Sequence, residues 1–355
     1  MQIDQMISGF LTAIESGPNS ARNVIGLAEL ALSKKEKLRA FELARKALRD
    51  PSCDSGVEIR ARSLLGSLLP GYHTGMMNDA RRNHAWDQAL RRAIRPGMHV
   101  LEIGSGGGML ALMAARAGAE KVITCEKDPV AAQIAREICE CNGYGDRIQV
   151  IHKASQDLVP GVDLERPADL LFCDIFADTL LAFDPLPALA DARNRLLAPD
   201  APVIPGGGAI RIALANWAAC AVACRADQAA GFDISAFADL LRPSVHVSIG
   251  DPSMLLCSSE VDAFRFDFRL PSHPQAARAE LSLQANREGI VDGVIQWIRL
   301  ELDSETSLEA RPEPGVAFFS SPRFWPFSKS LEVLSGNTVA VAAEYCGAKL
   351  SIRGS

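Results

Sequence analysis

The residues best placed to do chemistry form a glycine-rich run between two acidic positions. Glu102 stands just before the run Gly104-Ser105-Gly106-Gly107-Gly108, which follows an apolar stretch. Glycines let a backbone approach a ligand closely, and the N-terminus of a following helix offers unpaired N–H groups. Glu126 ends the next apolar stretch, where its carboxylate can accept hydrogen bonds from both hydroxyls of a ribose. The pattern therefore predicts a site for a nucleoside-containing cofactor.

The gaps between the glycines distinguish the possible cofactors. A glycine loop alone fits NAD, FAD or S-adenosylmethionine, and a tight turn without any ligand is the structural alternative. Gly104-x-Gly106-x-Gly108 has single-residue gaps, whereas dinucleotide-binding loops follow G-x-G-x-x-G. The whole set resembles the cofactor site of class I S-adenosylmethionine-dependent methyltransferases. The resemblance implies that the cofactor is bound by Glu102, Gly104, Ser105, Gly106, Gly108, Glu126 and Lys127.

Strands and helices alternate around these residues. The predicted strands are 99–103, 122–125, 150–151 and 170–173, and the predicted helices are 109–117, 129–141 and 185–197. Such alternation is typical of a parallel, doubly wound α/β sheet, which is a Rossmann-like fold. Because ligands of such sheets bind outside the carboxyl ends of the strands, the glycine loop, Glu126 and Asp174 are expected at one edge.

The two ends of the chain show other patterns of apolar and polar residues. Residues 1–70 read as helices of a tetratricopeptide-like extension, in which Ile7, Phe10, Leu11 and Ile14 share one face. A protein-docking module and a plain helical extension packed on the next domain are both open interpretations. Residues 71–205 are predicted to bind the cofactor. Residues 206–355 read as an antiparallel β-barrel-like domain, including a strand at 316–320 and a mostly helical insert at 217–241.

Composition excludes several classes of function. The chain has 355 residues with 48% hydrophobic residues, enough for a sizeable core, and a formal net charge of -6, which argues against nucleic-acid binding. Nine cysteines, an odd number, favour free thiols in a reducing compartment, and their spacing is not that of a zinc site. The sequence shows no signal peptide and no membrane-spanning apolar run. We expect a cytoplasmic protein without metal or membrane partner.

A stretch before the first strand narrows the choice among the families of class I methyltransferases. His73-Thr74-Gly75-Met76-Met77-Asn78-Asp79-Ala80-Arg81-Arg82-Asn83 resembles the cofactor-covering helix of protein arginine N-methyltransferases, closest to the branch with tetratricopeptide-like N-terminal helices. The resemblance extends over roughly residues 70 to 350, strongly to 175 and loosely afterwards. Gly231-Phe232-Asp233 looks like the end of the family's dimerisation arm, and Trp297 with 322–331 looks like its barrel. A homodimer is therefore implied.

The same resemblance implies individual roles. Arg82 would hold the carboxylate of the cofactor's methionine, which suits a planar, bidentate guanidinium. His73 and Met76 would lie over the cofactor near its transferable methyl group, and Glu102 near the methionine end. Ser155 and Gln156 would lie near the adenine. Without the resemblance, Arg82 would be interpreted as a solvated surface residue.

The substrate loop departs from the family pattern. The family places two glutamates there to clamp a guanidinium, but this chain has Asp174 at the first position and Phe183 at the second, followed by Asp184. No histidine accompanies Trp325 where the family has a Thr-His-Trp loop. We expect Asp174 and Asp184 to be the catalytic carboxylates. The alternatives are that Asp174 supports the cofactor or caps a helix, and that Asp184 is the N-cap before Pro185.

Three functions agree with this sequence. The main prediction is an S-adenosylmethionine-dependent methyltransferase that methylates an arginine guanidino nitrogen in a protein, a peptide or free arginine. A methyltransferase for another small amine or guanidine is the second, and a catalytically degenerate scaffold that binds the cofactor is the third.

Overall fold

The computed structural model describes residues 20–225, 228–247, 253–313 and 320–354. In chain order these form a helical part, a parallel sheet with flanking helices, and a set of antiparallel sheets. The predicted helical face of Ile7, Phe10, Leu11 and Ile14, and most of the predicted strand 316–320, lie outside the described residues.

Three helices begin the described chain and share a core of their own. These helices are α1 (Ser20–Ser33), α2 (Lys37–Arg49) and α3 (Ser55–Leu68). Asp54 fixes the start of α3, because its side chain accepts a hydrogen bond from the backbone N–H of Val57 at 2.9 Å. Val130, which belongs to the parallel-sheet part, completes the core of these helices.

The segment that resembles a cofactor-covering helix is two helices, and the prediction of one continuous helix over 73–83 is wrong. Helix α4 (Tyr72–Asn78) ends before Asp79, and α5 (Ala80–Ala93) begins after it. Asp79 has an extended backbone, and its carboxylate accepts from the N–H of Arg82 at 2.9 Å. The capping carboxylate of Asp79 therefore marks the break between the two helices.

The parallel sheet confirms the predicted α/β architecture. Its elements follow one another as β1 (His99–Ile103), α6 (Met109–Arg116), β2 (Lys121–Cys125), α7 (Pro129–Cys141), β3 (Ile148–Ile151), β4 (Leu170–Cys173), α8 (Pro185–Arg195) and β5 (Val203–Ile204). The strand order is β3-β2-β1-β4-β5. Ile103 is in register with Cys125 on one side and Cys173 on the other. Because these strands end together, Gly104, Glu126 and Asp174 emerge at one edge, on both sides of the switch point.

The remaining strands form antiparallel sheets, as predicted for the barrel-like part. They are β6 (Gly207–Asn216), β9 (Val245–His246), β10 (Leu255–Leu256), β11 (Val261–Asp267), β12 (Ala276–Gln284), β13 (Gly289–Glu301), β14 (Ser307–Glu309), β15 (Arg323–Val333), β16 (Thr338–Cys346) and β17 (Lys349–Gly354). One sheet runs β10-β6-β13-β15-β9 with β11 and β14 added to β6 and β13, and the other runs β12-β16-β17. Buried side chains of both the parallel and the antiparallel parts belong to one continuous core.

The insert at 217–241, which was predicted to be mostly helical, contains both helices and a hairpin. Its elements are the short helix α9 (Ala218–Ala223), two-residue strands β7 (Gln228–Ala229) and β8 (Phe232–Asp233) that pair with each other, and a 3₁₀ helix at Ser235–Leu240.

None of the helices among the described residues is long and apolar enough to cross a membrane.

Candidate active site

A cavity of about 1010 Å³ opens at the carboxyl edge of the parallel sheet. It is lined by the cofactor-covering helices, the glycine loop, the ends of β2 and β4, and the loop after β4. The sequence-predicted residues His73, Met76, Arg82, Glu102, Gly104, Ser105, Gly106, Glu126, Lys127, Ser155, Gln156, Asp174 and Asp184 all line it. Gly108 lies at the start of α6, next to this cavity lining.

The glycine loop has a backbone that other residues could not adopt without strain. Gly104, Gly106 and Gly108 have φ values of 85°, 49° and 78°, in the left-handed region. A Cβ atom on Gly104 would lie 2.5 Å from the side chain of Ile175, and one on Gly107 would lie 2.8 Å from Met77 Sδ. The glycines therefore let the loop pass close to both the loop after β4 and the covering helix.

Glu126 is held by two backbone groups. The N–H of Gly106 donates to Oε2 at 3.1 Å, and the N–H of Asp128 donates to Oε1 at 2.9 Å. Each carboxylate oxygen has further acceptor capacity, so a diol can still be bound. The geometry suits the predicted ribose role, which remains a prediction.

Replacing Glu126 with Ala is expected to weaken cofactor binding at least tenfold, since each charge-assisted hydrogen bond lost is worth about 1.5–3 kcal/mol. Calorimetric titration with S-adenosylhomocysteine measures the loss. Glu165→Ala is the matched control, because this carboxylate pairs with Lys121 and is 71% exposed. Unchanged affinity of Glu126→Ala would remove the ribose assignment.

Glu102 is a fully buried carboxyl group at the end of β1. Neither of its oxygens has a hydrogen-bond partner among the described residues. Burial raises the pKa of Glu102 from its usual 4.5 to about 8; nearby Glu126 and Asp174 add to the rise, while the charge of Arg82 opposes it. An unpartnered buried acid facing a cavity is suited to a ligand that carries a positive charge or N–H donors.

Glu102 should make stability depend on pH. In the folded protein it keeps a proton up to about pH 8, whereas the unfolded chain releases it near its usual pKa of 4.5. Unfolding therefore releases a proton in this window, and this group's contribution to the free energy of unfolding falls as pH rises, by up to about 1.4 kcal/mol per pH unit. Glu102→Gln removes the titration, so urea denaturation should show the variant gaining stability over wild type with rising pH. Parallel pH profiles would contradict the assignment.

Arg82 and Asp174 form a buried ion pair across the cavity wall. Asp174 Oδ2 accepts from Nε at 2.7 Å and lies 2.5 Å from Nη2, and both side chains are 5% exposed. Arg82 Nη1 also donates to Asn83 Oδ1 at 2.8 Å. The interpretation of Arg82 as a solvated surface residue is therefore wrong. Its predicted role in holding the cofactor's carboxylate stays a prediction, with Asp174 as its present partner.

The covering helix α4 brings an aromatic pair to the cavity. The rings of Tyr72 and His73 stack with centroids 4.5 Å apart. A Cβ atom on Gly106 would lie 3.6 Å from His73 Nδ1, so His73 reaches the glycine loop. Burial lowers the pKa of His73, and the carboxylates of Glu126 and Asp128 oppose the shift. Met76 lines the cavity beside them.

Ser155 and Gln156 form a short turn after β3. Ser155 Oγ lies 3.1 Å from Gln156 Oε1, and Arg195 Nη2 donates to both backbone carbonyls at 3.4 and 3.1 Å. Lys127 also lines the cavity, with its Nζ 5.9 Å from the ring centre of Phe183. The adenine role of this turn remains a prediction.

The second acidic position differs from the first. Asp184 is exposed and has a left-handed backbone with φ 55°. It occupies the N-cap position of α8 before Pro185, as the alternative interpretation expected, but its side chain makes no cap hydrogen bond to the described residues. Phe183 is 49% exposed, and its ring centroid lies 6.4 Å from that of Tyr72. Of the two predicted carboxylates that line the cavity, Asp174 is held by Arg82, whereas Asp184 is exposed.

A second arginine–carboxylate pair on the cavity wall was missed from the sequence. Arg323 Nη1 donates to Asp178 Oδ2 at 2.6 Å, and His246 Nδ1 lies 3.5 Å from the same oxygen. Arg323 Nε donates to Ser244 Oγ at 2.9 Å. Asp178 is recognisable in the sequence as an acidic residue of the loop after β4, but its partners come from β9 and β15.

The known proteins that this chain resembles are methyltransferases. The family model of ribosomal protein L11 methyltransferase (PrmA) matches residues 87–207, which contain the glycine loop and Asp174. An arginine N(omega)-methyltransferase of Streptomyces achromogenes subsp. streptozoticus is 33% identical over 275 residues, which is 77% of this chain and 75% of that protein. Protein arginine N-methyltransferase 7 of Drosophila grimshawi is 33% identical over 247 residues, but this chain spans only 35% of its length.

Solved structures show the same fold. The Trypanosoma brucei PRMT1 enzyme-prozyme heterotetrameric complex with AdoHcy has a TM-score of 0.71 at 21% identity, covering 79% of this chain and 91% of that one. Arabidopsis thaliana protein arginine methyltransferase 10 has a TM-score of 0.64 at 17% identity, covering 77% and 87%. The predicted Rossmann-like class I methyltransferase fold is confirmed.

Proposed function

The chain belongs to the protein arginine N-methyltransferase family, and from this premise we propose that it methylates a guanidino nitrogen of arginine. The observation that carries the proposal is Asp174, a buried carboxylate that Arg82 holds at the carboxyl end of β4 beside the cofactor loop. We further propose that residues 71–205 hold the cofactor and that residues 206–355 complete the substrate side.

The cofactor is S-adenosylmethionine, and the cavity fits it. Unpartnered Glu102 suits the cationic amino group of a methionine tail, and Glu126 suits a ribose. The glycine loop leaves room that side chains would fill. S-adenosylmethionine supplies a methyl group on a sulfonium sulfur, so transfer is an in-line displacement in which placement of the nucleophile dominates.

The chain's own carboxylates would place that nucleophile. A guanidinium is cationic and a poor nucleophile, and carboxylates beside it fix its plane and stabilise the developing charge. Both guanidinium contacts of Arg82 fall on Asp174 Oδ2, which leaves Oδ1 to accept from a substrate. Asp184, exposed on the same cavity, would supply the second carboxylate where Phe183 replaces the family's glutamate.

The residues at the two clamp positions bear on which kind of molecule carries the guanidino group. Asp has one methylene fewer than Glu, so the carboxylate of Asp174 reaches roughly 1.5 Å less far. Phe183 makes the second position apolar, and the Streptomyces relative of matching length is named for arginine without the word protein. These observations favour a small arginine-type guanidine, and the helical part could still recruit an arginine-containing protein.

Incubation with methyl-labelled S-adenosylmethionine and a panel of free L-arginine, arginine peptides and basic proteins tests the proposal. Label is expected on arginine in at least one class of carrier. Label only on lysine or on other amines would overturn the arginine assignment. Binding of S-adenosylhomocysteine without transfer to any member of the panel would identify a scaffold instead.

We also propose that the protein is a homodimer that docks through the insert at 217–241. Trp217 is buried, but Phe232, Phe237 and Leu240 are 72%, 59% and 72% exposed, a larger apolar surface than a monomer usually leaves open. The Trypanosoma brucei relative is a heterotetramer.

The paired change Phe237→Asp with Leu240→Asp is expected to convert the dimer to a monomer, because two charges would be desolvated at the interface. Light scattering at high micromolar concentration should give half the wild-type mass. Ile59→Asp on α3, an equally exposed apolar position at 69%, should leave the mass unchanged. A monomeric wild type would refute the proposal.

We propose a cytoplasmic location, supported by the odd number of cysteines, nine, which favours reduced thiols.

A further inference from the structure

Among the described residues, two ion pairs connect the helical part to the cofactor-binding part. Arg45 Nη1 donates to both carboxylate oxygens of Glu137, at 2.7 and 2.8 Å, on the middle of α7. Lys37 Nζ, at the first residue of α2, pairs with Asp128, the residue before α7. Both ion pairs connect α2 to α7 or to the residue that precedes it. They differ in that Lys37 and Asp128 line the cavity, whereas Arg45 and Glu137 do not.

Lys37 is a lining residue of the cofactor cavity, together with Glu126 and Asp128, whereas Arg45 is not. The charge of Lys37 acts on the covering helix. Burial has the largest influence on the pKa of His73 and lowers it; Lys37 also lowers this pKa, whereas Glu126 and Asp128 raise it. The ammonium of Lys37 is therefore part of the electrostatic environment of the cavity.

A short chain of contacts connects Lys37 to the carboxylate predicted to bind ribose. Asp128 Oδ2 pairs with Lys37, while Oδ1 accepts from the N–H groups of Val130 and Ala131 at 3.0 Å each and so caps α7. The N–H of Asp128 donates to Glu126 Oε1 at 2.9 Å. Each oxygen of Asp128 thus has its own partner, and the resulting turn fixes Glu126.

Loss of the ammonium would disturb this turn electrostatically. The side chain of Asp128 is 27% exposed, so its charge is only partly solvated. Without a counter-charge it would repel the neighbouring carboxylate of Glu126 and lose one of the contacts that hold the turn.

We propose that Lys37 is a positioning residue for the cofactor site, acting through Asp128 on Glu126, so that the helical part is a component of that site. The family's dimerisation arm and substrate loop are not involved. The inference rests on the cofactor assignment alone and is independent of arginine being the substrate.

Calorimetric titration of S-adenosylhomocysteine and of adenosine into full-length variants tests the proposal. Lys37→Met is expected to weaken both ligands about tenfold, because both carry the ribose. Lys37→Arg restores the positive charge and should stay within threefold of wild type. Arg45→Met breaks the neighbouring ion pair of the same interface and should lower the thermal midpoint while leaving both affinities within twofold.

Three results would overturn the proposal: Lys37→Met binding both ligands within twofold of wild type, Arg45→Met weakening them as much as Lys37→Met, or Lys37→Arg failing to restore affinity. Wild-type protein that binds neither ligand would instead contradict the cofactor assignment, so the two failures are distinguishable.

Discussion

Replacing Asp174 with Asn is expected to lower turnover by two or more orders of magnitude. The change preserves the shape of the side chain but removes the charge that orients and stabilises a guanidinium, and loss of one preorganised electrostatic group costs roughly 10²–10³ in rate. Because Arg82 loses a competing partner, affinity for the cofactor should not fall. Steady-state rates at saturating cofactor, together with calorimetry for S-adenosylhomocysteine, measure the two effects separately.

Asp169→Asn is the matched control for this change. Asp169 lies just before the other end of β4 and accepts from the N–H of His99 at 2.8 Å, away from the cavity. Its turnover should stay within about twofold of wild type, since it does not face the reacting groups. Full activity of Asp174→Asn on the identified substrate would remove the guanidine clamp and leave only the general methyltransferase assignment.

Arg82→Met should weaken binding of S-adenosylmethionine strongly but scarcely affect adenosine, which lacks the amino-acid tail. It should also lower stability by about 3–5 kcal/mol, the usual result of removing one partner of a buried ion pair. Both side chains of the Arg82–Asp174 pair are 5% exposed, so water cannot replace the lost contact. Calorimetry with both ligands and urea denaturation measure the two losses.

Arg81→Met provides the comparison, because Arg81 is the preceding residue of α5 and is exposed. This variant should keep both affinity and stability. If Arg82→Met weakened adenosine as much as S-adenosylmethionine, the carboxylate role of Arg82 would be wrong and the residue would serve only to hold Asp174.

Local signals in the sequence were sufficient for much of the fold. Helix α7 was predicted at its observed bounds, 129–141; in the structure Asp128 caps it and Pro129 occupies its first turn. The glycine loop was also predictable, since positive φ angles demand glycine. The hairpin of β7 and β8 within the insert at 217–241 was not predicted, because strands of only two residues carry no alternating pattern.

The arrangement of the site could not be predicted from local patterns, because it depends on contacts between residues that are far apart in the sequence. Asp178 and Arg323 pair across 145 residues of sequence, and Arg82 reaches Asp174 across 92. The family resemblance placed Arg82 and Asp174 in one cavity, but the ion pair between them needed the structure. The break at Asp79 was missed because the same stretch resembled one covering helix, while a capping carboxylate divides it into two.

The position of the transferred methyl group tests the central claim most directly. Carbon-13-labelled methyl transferred to nitrogen-15-labelled arginine, free or within a peptide, can be located by NMR. We predict a methyl carbon bonded to a guanidino nitrogen, with the signal lost in Asp174→Asn. A methyl group on the α-amino nitrogen, on oxygen or on carbon would contradict the account.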